Sequence, residues 1–288
     1  MWLGFVLLIL LSGSGWILDE GWTSPIHGLA RSALHQGVVA VLFLAVAGVR
    51  RADGVGVDGW GRIAGWGAAL IAVPQVVMAG AGGWISGFTA VLVFTLVPAI
   101  VVIFEAQQEG FEDGESPLGK LGPAIAGVGG AALILPFAVP ASGAGWLWLA
   151  GLVASAVLSG VAAVRLRGLV RRGAEAKAAG VVCAACAVLC GMGAVVWRSP
   201  VTRAGLGDWS IELAVCLLVD GPVLFLLLWL VREMRPVPFA ARYLLIPAAT
   251  VAEGFVLLRP EFNWTLGLGL ALLVGGGALL VRRTENLI

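Results

Sequence analysis

Acidic side chains lie inside apolar stretches of this chain, where they can bind cations or transfer protons. Asp220 lies in the apolar run from Ile211 to Leu230, and Glu212 precedes it by about two helical turns on an acidic stripe. A charged carboxylate at the centre of a bilayer costs about 2.5–3.5 kcal/mol, so it should face the protein interior or a watery cavity. We therefore expect Asp220 and Glu212 to contact a substrate amine or carry a coupling proton. The alternative is a structural Asp220 that caps backbone N–H groups at the kink or pairs with a neighbouring helix.

Two helix-weakening residues follow this carboxylate. Pro222 has no N–H to donate to the carbonyl of Leu218, and Gly221 lowers the local stability of the helix. Broken helices at membrane depth are tolerated where they line a cavity. The sequence therefore predicts a helix break, or hinge, at Gly221 and Pro222.

Other polar side chains share the apolar segments. Gln75 is placed to hydrogen-bond a substrate or a neighbouring helix. Glu253 follows Pro247 by one and a half turns, so it could bind substrate or reach the outer membrane interface. His35 shares a helix face with Arg31 and could carry a coupling proton or serve packing near the outer surface.

Hydroxyl and indole groups are further candidates for the substrate site. Trp16 and Trp148 could form cavity walls for apolar or cationic groups, although Trp at such depths often anchors the interface. Ser14 and Ser155 could bond substrate, or bond the preceding helical turn instead. Three of the four cysteines lie in one apolar segment without an adjacent His, Asp or Glu, so we expect no metal and no cofactor.

The composition places these residues in lipid. Hydrophobic residues make up 60% of the chain and charged residues 12%, against about a quarter charged in soluble domains. The first apolar window lacks the basic start and cleavage site of a secretory signal, so we expect it to be retained. Ten windows approach the ~20 residues that span a bilayer and leave no room for a soluble domain: 2–17, 29–49, 61–79, 84–104, 118–137, 143–164, 178–197, 209–230, 240–258 and 264–281.

Positive charges are distributed unevenly between the predicted loops. With ten spans and a cytoplasmic N-terminus, fourteen of the 18 Lys and Arg residues fall on the inner side. Inner loops are usually the more basic ones. The sequence therefore predicts a multi-pass protein of the cytoplasmic (inner) membrane with both termini inside.

The two halves of the chain match in sequence. Pro98 precedes Glu112 by 14 residues, and Pro247 precedes Glu261 by the same 14. A repeat of five helices is odd in number, so its second copy enters the membrane from the opposite side. The spacing therefore predicts an inverted repeat, with Pro98 and Pro247 as further hinges.

Glycine-rich segments close both copies, which we place at 1–139 and 140–288. The segments from Gly122 and Gly269 share six of twelve positions. Small residues let membrane helices approach closely. These faces predict packing either within the monomer or across a homodimer.

With these motifs, the chain resembles the drug/metabolite transporter superfamily, specifically its ten-helix EamA-type members. Both halves are similar to the family in their order of proline, glutamate turn and glycine-rich helix, and "LLSGSGW" at 10–16 resembles the family's first helix. The resemblance implies an all-α polytopic membrane protein of ten transmembrane helices in two inverted repeats, whose eighth helix lines a central cavity. It also implies a secondary transporter that exports a small organic metabolite by alternating access.

The charges inside the membrane bear on the substrate. No Lys or Arg falls at the predicted midplane, so an amino acid or amphiphilic amine is favoured over an anion. The expected partners are this small molecule, the lipid bilayer and a coupling proton, with no nucleic acid. Two alternatives stay open, namely a non-transporting scaffold or sensor and an intramembrane enzyme, although no catalytic residues stand out.

Overall fold

The structure is a computed structural model, and it describes residues 1–15, 26, 28–49, 57–109, 117–170, 175–199, 206–259 and 263–283. In these ranges the chain is helical, without β-strands. Thirteen α-helices lie there: α1 (Trp2–Gly13), α2 (Gly28–Val49), α3 (Val57–Ala81), α4 (Gly87–Phe94), α5 (Val97–Glu109), α6 (Pro117–Ile134), α7 (Gly143–Val170), α8 (Glu175–Val196), α9 (Leu206–Val215), α10 (Gly221–Glu233), α11 (Pro236–Ala240), α12 (Arg242–Leu258) and α13 (Trp264–Arg283).

Eight helical segments in the described ranges are long and apolar enough to cross a membrane, so the chain is a multi-pass membrane protein. They are Gly28–Gly48, Gly59–Ala81, Gly87–Gln107, Gly143–Val170, Ala176–Val196, Gly207–Glu233, Pro236–Leu258 and Trp264–Arg282. Two further apolar helices, Trp2–Gly13 and Leu121–Ile134, are shorter. Each of the ten expected windows thus has a helix in it, while the count of ten spans stays a prediction.

The chain divides into two compact units built from discontinuous segments. The first unit consists of Met1–Ser14, Ala81–Val164 and Met234–Ile288. The second unit consists of Gly15–Gly80 and Arg165–Glu233. Each unit therefore combines segments from both halves of the chain.

Glycines bring α6 and α13 into close contact in the first unit. A Cβ at Gly130 would lie 2.6 Å from the backbone oxygen of Gly269, and a Cβ at Gly276 would lie 2.5 Å from that of Pro123. Larger residues at these positions would push the two backbones apart. These glycines pack within the chain, which is one of the two arrangements expected for them, and a homodimer stays a prediction.

In the second unit, α2 packs along α8. A Cβ at Gly180 would lie 2.7 Å from the side chain of Leu44, and one at Gly193 would lie 2.8 Å from that of Leu29. The segment from α9 to α10 also packs on α2. Because of this packing, polar side chains of α2 lie beside the polar side chains of the segment that contains Asp220.

The break expected at Gly221 and Pro222 takes the form of a π-helical turn. Residues Cys216–Asp220 form this turn, in which the Gly221 N–H donates to the carbonyl of Cys216, five residues earlier. Pro222 lies in the first turn of α10, where a missing N–H is tolerated. The backbone therefore stays helical from α9 to α10, and the irregularity lies immediately before the proline.

The two other hinge prolines differ in their local structure. Pro98 is the second residue of α5, and a two-residue turn separates α5 from α4. Pro247 lies inside α12 and does not end it. Of the remaining sequence features, Trp16, Glu112 and Glu261 lie outside the described residues.

Candidate functional site

Four charged side chains contact one another in the second unit. Arg31 donates from Nε to Oε1 of Glu212 at 2.7 Å. His35 Nε2 lies 2.7 Å from the same carboxylate oxygen. The other ring nitrogen, Nδ1, lies 2.5 Å from Oδ2 of Asp220. We call these four residues the charged cluster.

The charged cluster joins α2 to the segment around the π-helical turn. Arg31 and His35 are four residues apart and so lie on one face of α2. Glu212 lies on α9, and Asp220 is the last residue of the π-helical turn. Cys216 begins that turn and donates from Sγ to the carbonyl oxygen of His35 at 3.7 Å. The turn is therefore fixed on α2 beside the imidazole.

Exposure increases along the cluster towards Asp220. The side chain of Glu212 is 1% exposed, that of His35 is 4% exposed and that of Asp220 is 40% exposed. An uncompensated ion at the depth of Glu212 would cost several kcal/mol, and the ion pair with Arg31 offsets this cost. Asp220 is therefore the most accessible member of the cluster, ahead of Arg31 at 20%.

The imidazole of His35 lies between two carboxylates. Nδ1 makes a hydrogen bond to Asp220, whereas Nε2 lies close to Glu212 without hydrogen-bond direction. Only the imidazolium form carries N–H groups on both ring nitrogens, and only that form is an ionic partner for both carboxylates. With His35 protonated, the four charges sum to zero. A ligand cation that takes Asp220 would leave His35 with surplus positive charge.

A group of amide side chains lies in the same unit. Gln36 donates from Nε2 to Oε1 of Gln75 at 3.1 Å, and Cys190 donates to the same oxygen at 3.3 Å. Gln36 is 2% exposed, and its own Oε1 is buried without a hydrogen-bond partner in the described part of the chain. Gln75 thus links α3 to α2 and α8. Sequence reasoning missed Gln36, although a polar residue within an apolar helix was the available signal.

In the first unit, Glu253 and Ser14 come together at the end of α1. Ser14 Oγ lies 3.0 Å from Oε1 of Glu253 and donates to the carbonyl of Leu10 at 2.7 Å. Thr250, one turn before Glu253, donates to the carbonyl of Gly13 at 3.2 Å. The second carboxylate oxygen of Glu253 is buried without a hydrogen-bond partner in the described ranges. The glutamate therefore lies against α1.

The last two predicted residues, Ser155 and Trp148, lie on α7. Ser155 is 2% exposed and donates to the carbonyl of Leu152 at 2.8 Å, so its hydroxyl bonds the preceding turn. Trp148 is half-buried.

Arg242 is a charged residue whose burial in the core was not predicted from the sequence. It is 3% exposed, and its guanidinium lies 3.7 Å from the ring centroid of Phe239 and 4.4 Å from that of Tyr243. Aromatic faces attract such cations. Its position at the start of a predicted helix, near the inner loops, gave no sign of this burial.

No arrangement of side chains suited to a metal ion is found in the ranges that the structure describes. No cluster of three or more His, Cys, Asp or Glu side chains there is arranged to hold an ion. The four cysteines are buried as free thiols.

Comparisons with known proteins show the fold without a family. No family model matches the chain, and no curated protein matches it. Among solved structures, 27 chains match. One of these, known only as the crystal structure of a protein, has a TM-score of 0.74 at 21% identity, covering 98% of this chain and 97% of that chain. The chain therefore shares its helical fold with a protein of known structure over nearly the whole length of both.

Proposed function

We propose that the protein is a secondary transporter of a small organic metabolite that carries an amine, such as an amino acid or an amphiphilic amine. The observation that carries this proposal is the charged cluster. A partly exposed carboxylate, Asp220, is connected through buried His35 to the ion pair that buried Glu212 makes with Arg31. Ionisable residues within membrane-spanning segments commonly mark substrate or ion pathways.

Competition for Asp220 provides the coupling in this proposal. A substrate ammonium and the His35 imidazolium compete for the carboxylate of Asp220. When the ammonium binds, His35 loses a counter-charge and releases its proton. When the proton returns, the imidazolium takes Asp220 back and the substrate leaves. Such an exchange supports proton-coupled export by alternating access.

The transporter that we propose has ten spans in two inverted repeats, 1–139 and 140–288. The composition of the compact units supports this arrangement. The first unit holds α1, α4–α6 and most of α7 with α11–α13, and the second unit holds α2 and α3 with α8–α10. Helices at equivalent places in the two halves thus belong to the same unit, as inverted repeats require.

The orientation in this proposal has both termini in the cytoplasm and the chain in the cytoplasmic (inner) membrane. The excess of Lys and Arg on the predicted inner side supports it. A cysteine-accessibility experiment on residues at either end would check the orientation independently of transport.

The test is substrate flux by the purified protein in liposomes, with Asp220→Asn as the variant. We expect labelled amino acids or amines to exchange against a proton gradient, and Asp220→Asn to slow this exchange about tenfold or more, equivalent to about 1.4 kcal/mol. Asp208→Asn is the matched control. It makes the same chemical change in the exposed first turn of α9, so its flux should stay near that of the native protein.

Thermal-shift measurements with the same ligands separate binding from transport. A ligand that binds the native state raises the unfolding midpoint, and this increase should vanish in Asp220→Asn. An unchanged increase would move the binding site to Gln75 or Glu253. Folded native protein that neither binds nor moves any amine would overturn the proposal.

A further inference from the structure

A separate cavity of about 370 Å³ lies within the second unit, and no member of the charged cluster lines it. Helices α2, α7, α8 and α10 all contribute to its walls. Among the described lining residues Arg232 is the charged one, and the others are apolar or aromatic, Phe43, Leu166, Val182, Phe225 and Trp229 among them. Its volume is within the range of about 300–1,000 Å³ that is usual for small-molecule sites.

The aromatic and charged lining residues lie at different heights along α10. Phe43 and Phe225 stack with ring centroids 6.1 Å apart, and Arg232 lies in the last turn of α10. Seven residues separate Phe225 from Arg232 on that helix, which corresponds to about 10 Å. The Arg232 side chain is 25% exposed. The cavity wall along α10 is therefore apolar from Phe225 onward and ends at the partly exposed guanidinium of Arg232.

This shape and charge match an amphiphilic anion. In the part of the lining that the structure describes, no carboxylate, amide or hydroxyl is present that would receive an ammonium group. Basic side chains at the ends of membrane helices attract anionic lipid headgroups. Glu233 lies beside the site, with Oε1 3.6 Å from Arg232 Nε, and its side chain is 42% exposed, so it competes for the guanidinium from the solvent side.

We propose that this cavity holds one acyl chain of an anionic phospholipid, whose phosphate pairs with Arg232. The lipid acts as a bound structural ligand of the second unit, tying α10 to α2 and α8. The site takes a lipid whether or not the protein carries substrate.

The test compares two lipids with identical acyl chains, phosphatidylglycerol and phosphatidylcholine, added to full-length protein in neutral detergent. Bound lipid is counted by native mass spectrometry, and stability is followed by the thermal midpoint. We expect phosphatidylglycerol to bind about fivefold to tenfold more tightly than phosphatidylcholine, because one basic residue adds attraction of that order. Arg232→Gln should abolish this preference, Arg232→Lys should keep most of it, and Glu233→Gln should increase it.

Two variants distinguish a built site from general surface attraction. Arg235→Gln removes a cation three residues further along, outside the lining, and should leave the lipid preference unchanged. Ala176→Phe adds bulk to a half-buried lining position and should lower the binding of both lipids.

Several results would overturn the proposal. One is equal binding of the two lipids by the native protein, and another is an equal loss of preference in Arg235→Gln and Arg232→Gln. Glycerol phosphate that stabilises the protein as well as the lipid would show a phosphate site without an acyl chain. If Arg232→Gln does not fold, unchanged lipid binding by Ala176→Phe would be decisive against the cavity.

Discussion

Glu212 lies against both basic side chains at the buried end of the charged cluster. Replacing it with leucine would remove the carboxylate that Arg31 and His35 share, while His35 keeps its contact with Asp220. Breaking a buried ion pair by removing one partner costs about 3–5 kcal/mol. We expect Glu212→Leu to lower the free energy of unfolding by about this amount, measured by denaturant unfolding in micelles.

The double variant tests whether this loss comes from charge. Arg31→Met combined with Glu212→Leu removes both members of the 2.7 Å pair. It should be more stable than the sum of the single changes predicts, with a coupling of about 0.5–3 kcal/mol. Strictly additive losses would mean that Glu212 acts through packing and not through its charge.

Sequence reasoning found the members of the charged cluster without finding their contacts. It placed Glu212 and Asp220 on one stripe, and Arg31 and His35 on one face of another helix. The contacts join residues 181 and 185 positions apart, which no local pattern reveals. The available signal for these contacts was a pair of basic residues one turn apart and a pair of acids two turns apart. Charged side chains in lipid need partners of opposite charge, so the two pairs were candidates for each other.

At the scale of helices, the π-helical turn explains why both acids reach one histidine. In a regular α-helix, eight residues turn about 800°, so Asp220 would point about 80° away from Glu212. A π-bulge inserts one extra residue into the helix, so the eight residues from Glu212 to Asp220 rotate about as far as seven α-helical residues, or about 700°. Asp220 then points only about 20° away from Glu212. The proline predicted an irregularity here, but its type depends on the packing of the turn against α2.

The contact between α6 and α13 gives a prediction with a neighbouring control. Gly276→Ala would place a Cβ 2.5 Å from the backbone oxygen of Pro123 and should lower the free energy of unfolding by about 1–3 kcal/mol. Gly275→Ala meets nothing within 4 Å, so it should be neutral or slightly stabilising because alanine favours helix. Thermal midpoints of the two variants check this difference, and equal midpoints would contradict the packing.

At the scale of the whole molecule, neither half of the chain contains a complete compact unit. The second unit needs α2 and α3 from the first half together with α8–α10 from the second half. We expect fragments 1–139 and 140–288, expressed alone, to be degraded by protease at least about tenfold faster than the pair, since each exposes unpaired buried charges. Co-expressed fragments should associate and regain resistance, and a fragment that resists proteolysis alone would argue against this dependence.

The composition predicted the membrane class and the helices at this scale, because the need for about 20 apolar residues per span leaves a strong signal. The division into two units left no such signal. The division depends on contacts between helices that are more than a hundred residues apart in the chain. Apolar helix surfaces look alike in sequence, so the sequence does not show which of them pack together.

The distance along the chain between Arg31 and Glu212 has a consequence for synthesis. The two residues are 181 positions apart, so at about 5–20 residues per second the ribosome needs roughly 10–35 s to make the second after the first. During that interval the nascent α2 carries Arg31 and His35 without their carboxylates. Its arginine must extend to the headgroups, as long basic side chains do. The Arg31–Glu212 ion pair therefore forms late in synthesis. It can fix α2 in the membrane only after α9 has been made.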